Sequence, residues 1–269
     1  MGASNCGRPY PVTAKTFEHY AASGVRFMEF SQTIPAMANV DWREVKKAAE
    51  ATGVTVWSFH LPFSNHKFNI AHPDPFVRRT SMLTDEAYIE VAGYLGVKYV
   101  VVHPSSEPIA DADRPEAIRY SKENLSKLAD TAEKCGVTLA VENLPRTCLG
   151  NTGEELRDIV NADDRLRVTF DVNHLLKESH ASFVKAVGDK IVTLHISDYD
   201  FTDEKHWLPG KGKIDWKGLL DLLEGIGYDG PFMYEVTMRS DGDTREERLR
   251  FSTLSEGVGT WRKVMAREL

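Results

Sequence analysis

The chain has 269 residues, of which 40 are acidic and 33 basic, for a formal net charge of −7. With 42% hydrophobic and 27% charged residues it has the balance of an ordinary soluble globular enzyme. No run approaches the ~18 apolar residues of a membrane helix, and residues 1–11 lack the apolar core of a signal peptide. The acidic balance argues against strong binding to nucleic acid, which rests on neutralising phosphates with Lys and Arg. Cys6, Cys135 and Cys148 form an odd set with no CxxC pair, which suits a reducing cytoplasm better than a disulfide framework.

Short β-branched or aromatic runs alternate with longer amphipathic stretches. In chain order, Val25–Phe30 reads as a strand, Trp42–Ala51 as a helix and Val54–His60 as a strand. Thr84–Leu95 reads as a helix, Val97–His103 as a strand, and Arg114–Lys134 as a helix with Ile118, Leu125 and Leu128 on one side. Strand Val137–Glu142 leads to a helix at Thr152–Val160, where Thr152 and Glu155 have the spacing of a capping box. Leu166–Asp171 is a strand, Phe183–Val187 is helical, and Lys190–Ile196 is a strand. Trp216–Gly225 (helix), Pro231–Val236 (strand) and Thr244–Glu268 (a long terminal helix) complete the series, and a weak first strand is expected near Ala3–Cys6.

Gly24, Gly53, Gly96 and Gly136 each stand where a helix ends just before a strand. Repetition of helix, glycine and strand implies βα units and a parallel sheet. Eight units in a chain of this length predict one (β/α)8 TIM barrel over residues 1–269. The alternative, an open doubly wound sheet, would call for a phosphate or dinucleotide signature, and neither GxGxxG nor GxxxxGK[ST] occurs.

The last residues of the strand runs are Glu29, His60, His103, Glu142, Asp171, His195 and Glu235. In a parallel barrel these ends converge on one mouth. A buried carboxylate costs several kcal/mol unless paired or metal-bound. Two Glu, one Asp and one His make a mixed oxygen and nitrogen set suited to one divalent ion: Mn²⁺, Mg²⁺, Co²⁺ or Zn²⁺. Glu29 is read as structural, tied to a neighbouring cation such as Arg26. Trp57, Phe59 and Phe63 are either an apolar wall for a substrate or core, and Arg146 either meets an anionic substrate group or is solvated. His66, His72 and His180 carry no functional signal.

At these residues the chain resembles the sugar isomerase/epimerase family with the xylose isomerase-like TIM barrel. The resemblance rests on five segments in order: Val141-Glu142-Asn143, Phe170-Asp171-Val172-Asn173-His174, Leu194-His195-Ile196-Ser197-Asp198, Leu208 to Trp216 with its Pro-Gly-Lys-Gly run, and Tyr234-Glu235-Val236. It implies that Glu142, Asp171, His195 and Glu235 are the metal ligands. It also implies that His174 binds substrate and that His60 and His103 line the mouth. In the related apurinic-site endonucleases, histidines at these positions and an Asp-x-His complete a trinuclear zinc cluster. Here Glu204 stands in the place of that Asp and His206 completes the pair, with His206 expected to meet substrate.

The implied chemistry is proton transfer beside a carbonyl, with the ion stabilising an enediolate and Glu142 and Glu235 as acid and base. Epimerisation, aldose–ketose isomerisation and inosose-type dehydration share these residues. The expected partner is a small sugar, its phosphate or a polyol, without nucleic acid or membrane; a homo-oligomer is compatible. A zinc phosphodiesterase of the apurinic endonuclease kind and a non-catalytic sugar-binding barrel are the rival classes.

Overall fold

The computed structural model describes residues 1–6, 11–63, 67–236, 238–239 and 252–269. Eight parallel strands form the barrel wall: β1 (Gly2–Ser4), β2 (Phe27–Phe30), β3 (Thr55–His60), β4 (Tyr99–Val102), β5 (Thr138–Glu142), β6 (Arg167–Asp171), β7 (Ile191–His195) and β8 (Met233–Tyr234). Their order is β7-β6-β5-β4-β3-β2-β1-β8. A parallel bridge between Ile196 and Tyr234 closes the ring, with Ile196 N–H donating to Met233 O at 2.8 Å. The helices are α1 (Ala14–Ala22), α2 (Ile34–Met37), α3 (Trp42–Thr52), α4 (Pro75–Leu95), α5 (Arg114–Cys135), α6 (Gly153–Val160), α7 (His180–Val187), α8 (Trp216–Gly225) and α9 (Leu254–Met265).

The predicted alternation is thus observed, and the (β/α)8 barrel with it. Leu125 and Leu128 of α5 are fully buried, and Phe30 stacks on Phe59 with centroids 5.0 Å apart in the layer between strands and helices. β1 reads weakly because it is Gly-Ala-Ser; a Cβ on Gly2 would lie 2.7 Å from Met233 Cε, so small residues are what its packing on β8 admits.

Several boundaries differ from the sequence reading. Helix α4 begins at Pro75, capped by the Asp74 carboxylate on Phe76 N–H at 2.8 Å, so its first half was missed although Asp-Pro is a start signal. Thr152 does cap α6, but the Glu155 carboxylate turns to Gly150 N–H (2.7 Å) and Arg114, leaving the reciprocal half of the box unmade. The terminal helix starts at Leu254, after a two-residue pairing of β9 (Met238–Arg239) with β10 (Ser252–Thr253). The predicted residues 244–251 lie outside the described ones.

Candidate metal centre and barrel mouth

Glu142, Asp171 and His195 end strands β5, β6 and β7, and Glu235 directly follows β8. The register helps to assemble them. Val168 pairs with Ile191 but Thr169 with Thr193, so the irregularity at Val192 sets Asp171 opposite His195. The four side chains offer ligand atoms all within 4.8 Å of one another. His195 Nδ1 lies 3.1 Å from Glu142 Oε1, 3.8 Å from Asp171 Oδ2 and 3.6 Å from Glu235 Oε2. Asn143 braces the cluster, donating to Asp171 O and accepting Asp171 N–H, both at 2.8 Å.

This set fits a divalent cation. Asp171 Oδ1 accepts Asn173 N–H at 2.6 Å, but the fully buried Oδ2 has no hydrogen-bond partner. An orphaned carboxylate oxygen facing two more carboxylates and an imidazole calls for positive charge among them.

The predicted mouth histidines gather around the same point. His60 Nε2 and His103 Nε2 both lie 3.2 Å from Glu142 Oε2. His174 Nε2 is 3.3 Å from Glu204 Oε2, and His206 joins these two in a group with ligand atoms within 4.8 Å. Main-chain carbonyls accept from the opposite nitrogens: His60 Nδ1 donates to Leu61 O (2.7 Å), His174 Nδ1 to Asn143 O (2.9 Å) and His206 Nδ1 to Glu235 O (3.0 Å). A carbonyl can only accept, so Nδ1 of each ring carries a proton and Nε2 is left to face the mouth.

The electrostatics divide the two central glutamates. Burial raises the Glu142 carboxyl, but His195 and His103 outweigh it and hold it well below the usual range. Burial also raises Glu235, and the charges of Glu142, Asp171 and Glu29 add to this against His195, leaving it well above. His174 would be lowered by burial, yet Asp171, Glu204 and the central glutamates lift it to about 10. Its hydrogen bond holds Glu204 down at about 2.

Two residues read as structural or solvated in the sequence belong to this site. Glu29 is fully buried and does not pair with Arg26, which is exposed; it accepts from His195 Nε2 at 2.9 Å and Ser58 Oγ at 2.8 Å. Only their alternation toward the barrel interior could have signalled this. Arg146, in a left-handed conformation (φ 52°), binds Glu107 (2.7 Å), Asp203 (2.7 Å) and Glu204 (3.4 Å), joining the loops after β4, β5 and β7. Of the three aromatics, Phe59 is core, Trp57 packs against Phe27 and Tyr99, and only Phe63 lines the mouth, stacked 4.3 Å from His103. His66 lies outside the described residues.

The loop after β7 is built around Asp198. Its carboxylate accepts from Tyr199 N–H (2.9 Å), Gly210 N–H (2.8 Å), Ile214 N–H (3.3 Å) and Trp216 Nε1–H (3.2 Å). Gly212 has no room for a Cβ, which would collide with Asp198 Oδ1 and Tyr199 O. The Pro-Gly-Lys-Gly run is therefore the closure of the loop that presents Glu204 and His206, and no phosphate cradle is needed to explain it. The cavity at the mouth encloses about 290 Å³ and is lined by Glu142, Glu235, the four mouth histidines, Arg146 and Glu204 among others.

A barrel of this closure with its ionisable residues gathered at the carboxyl ends of the strands is a known enzyme architecture. The family model of the xylose isomerase-like TIM barrel matches residues 17–254, and the chain belongs to that family. It is 26% identical over 263 residues to a D-psicose 3-epimerase of Ruminiclostridium cellulolyticum, covering 92% of this chain and 82% of that enzyme. It is 35% identical over 164 residues to an inosose isomerase of Bacillus velezensis, covering 56% of this chain and 58% of that enzyme. The crystal structure of the IOLI protein with a bound zinc atom superposes with a TM-score of 0.78 at 21% identity, covering 99% of this chain and 96% of that one.

Proposed function

We propose that the chain, an enzyme of the isomerase and epimerase class, moves a proton beside the carbonyl of a small sugar or polyol ketone with the help of one divalent metal ion. The observation that carries this reading is the four-donor cluster at the floor of a small mouth. The ion would be held by Glu142, Asp171, His195 and Glu235, and when bound it supplies positive charge to a developing oxyanion. The zinc-bound relative and the epimerase and isomerase relatives support this.

Glu142 and Glu235 act as the acid–base pair. They come from the ends of β5 and β8 and approach from different sides of the mouth, so one carboxylate can take a proton on one face of the reacting carbon while the other returns one. His60, His103, His174 and His206 bind substrate hydroxyls from the rim. The cavity of about 290 Å³ is at the lower end of the ~300–1,000 Å³ of small-molecule sites, the size class of a single sugar. Incubation of the Mn²⁺-loaded protein with ketoses, inososes and hydroxypyruvate in D₂O tests the reading. Deuterium at an inverted carbon marks an epimerase, deuterium on the neighbouring carbon an isomerase, and loss of water a dehydratase. No exchange into any of these substrates speaks against it.

A second reading, a polynuclear zinc phosphodiesterase, is favoured by the inward-facing Nε2 atoms of the mouth histidines. His60 and His103 with Glu142, and His174 and His206 with Glu204, form two further donor groups. Against it stand the net charge of −7 and an Arg146 already bound to three carboxylates. Metal counting separates the two. His206→Ala leaves the stoichiometry at one ion per chain under the first reading and removes one of three zinc equivalents under the second.

A further inference from the structure

We propose that Glu29 is a positioning residue of the metal centre, holding His195 as the Nε2–H tautomer so that its Nδ1 lone pair faces the metal-binding carboxylates. This rests on the reading that the four-donor cluster holds a divalent ion. The geometry is direct. Nε2 of His195 points at Glu29 Oε2, 2.9 Å away, while Nδ1 points at Glu142, Asp171 and Glu235. With an ion in the cluster Nδ1 gives its lone pair to the metal, so the one proton of the neutral ring sits on Nε2, where the Glu29 oxygen accepts it.

The placement is built by the sheet. Met28 pairs with Val56 but Glu29 with Ser58, and this irregularity at Trp57 sets Ser58 Oγ 2.8 Å from the Glu29 carboxylate. Glu29 is therefore fixed from one side by Ser58 and aimed at His195 on the other, across the barrel interior. Both Glu29 and His195 are fully buried.

A packing role explains this poorly. A buried ion pair contributes little net stability compared with apolar side chains of the same volume. Glu29 is also incompletely satisfied, since its buried Oε1 has no partner in the protein. The contrast with the other rings is informative: His60, His174 and His206 are oriented by neutral main-chain carbonyls, whereas His195, the only imidazole of the four-donor cluster, is oriented by a charged group. An anionic partner on the far nitrogen fixes the ring and makes the near nitrogen a stronger donor to a cation.

The test is zinc affinity of the stripped full-length protein, by competition with a chromophoric chelator. Glu29→Gln retains the shape and an acceptor oxygen but loses the charge, and Glu29→Asp withdraws the oxygen from Nε2. Each should bind zinc about 10- to 100-fold more weakly than wild type. A merely structural Glu29 would lower the melting temperature of the variants and leave the zinc affinity of the folded protein alone. Variants within twofold of wild type overturn the inference and leave the metal reading standing; a wild-type protein that binds no zinc overturns both. Should neither variant fold, the zinc-loaded wild type decides. Its ¹⁵N-labelled histidine spectrum, with the His195 signal assigned by its loss in His195→Asn, should show the proton on Nε2, and a proton on Nδ1 refutes the proposal.

Discussion

Two glutamates of one cluster sit in opposite electrostatic situations, and the difference is a matter of neighbours. Glu142 has the rings of His60, His103 and His195 within 3.2 Å, while Glu235 is buried with its nearest imidazoles farther off, 3.6 Å to His195 and 3.7 Å to His206, and with the charges of Glu142, Asp171 and Glu29 acting against it. Glu142→Gln or Glu235→Gln, saturated with Mn²⁺, should still bind sugar but lose at least ~10²-fold in kcat; near wild-type rates would move proton transfer to His174 or His206. A second expectation concerns pH. In metal-free protein His174 titrates at about 10, above its ordinary 6.5. Its stabilising contribution is therefore complete below pH 6.5 and is lost as pH rises from there through 10. Glu204, at about 2 against an ordinary 4.5, contributes fully above 4.5 and loses its contribution as pH falls through 2. The melting temperature of the stripped protein should fall by about 10 °C between pH 7 and 10, since each tenfold change in proton affinity is worth about 1.4 kcal/mol and ~1 kcal/mol is worth roughly 2–4 °C in a domain of this size. His174→Gln should flatten that decline, and an unchanged decline would assign it to other groups.

At the scale of the element, the strand ends were legible because an ionisable residue closing an apolar run is costly without a purpose. Glu142, Asp171, His195 and Glu235 all stand out in this way. The helix-ending glycines were legible too, as Gly53, Gly96 and Gly136 are left-handed with φ between 68° and 73°. What could not be read was register. The irregularities at Trp57 and Val192 decide which residues face each other, and they depend on how the strands pair rather than on any local signal. The partner of Glu29 was missed for that reason, since His195 is 166 residues away. Arg146 was missed because its carboxylates come from two other loops. The loop after β7 offers its own test. Gly212→Ala places a methyl group against Asp198 and Tyr199, which should cost roughly 1–3 kcal/mol. It should also raise KM by displacing Glu204 and His206. Unchanged melting temperature and KM would show that the loop adapts freely.

For the molecule as a whole, the barrel explains why residues from Glu29 to Glu235 share one small mouth, and the short Gly-Ala-Ser strand β1 explains why the first unit was the hardest to read. No helix among the described residues is long and apolar enough to cross a membrane, and the three cysteines are free. The account depends above all on the claim that the four strand-end side chains hold one divalent ion. The most direct measurement is elemental analysis of the protein after Mn²⁺ loading and desalting, run beside Asp171→Asn with the fold of each checked by circular dichroism. One equivalent per chain in the wild type and almost none in a folded Asp171→Asn is the expected result; a wild type that carries no metal, or a variant that keeps the full equivalent, would contradict it.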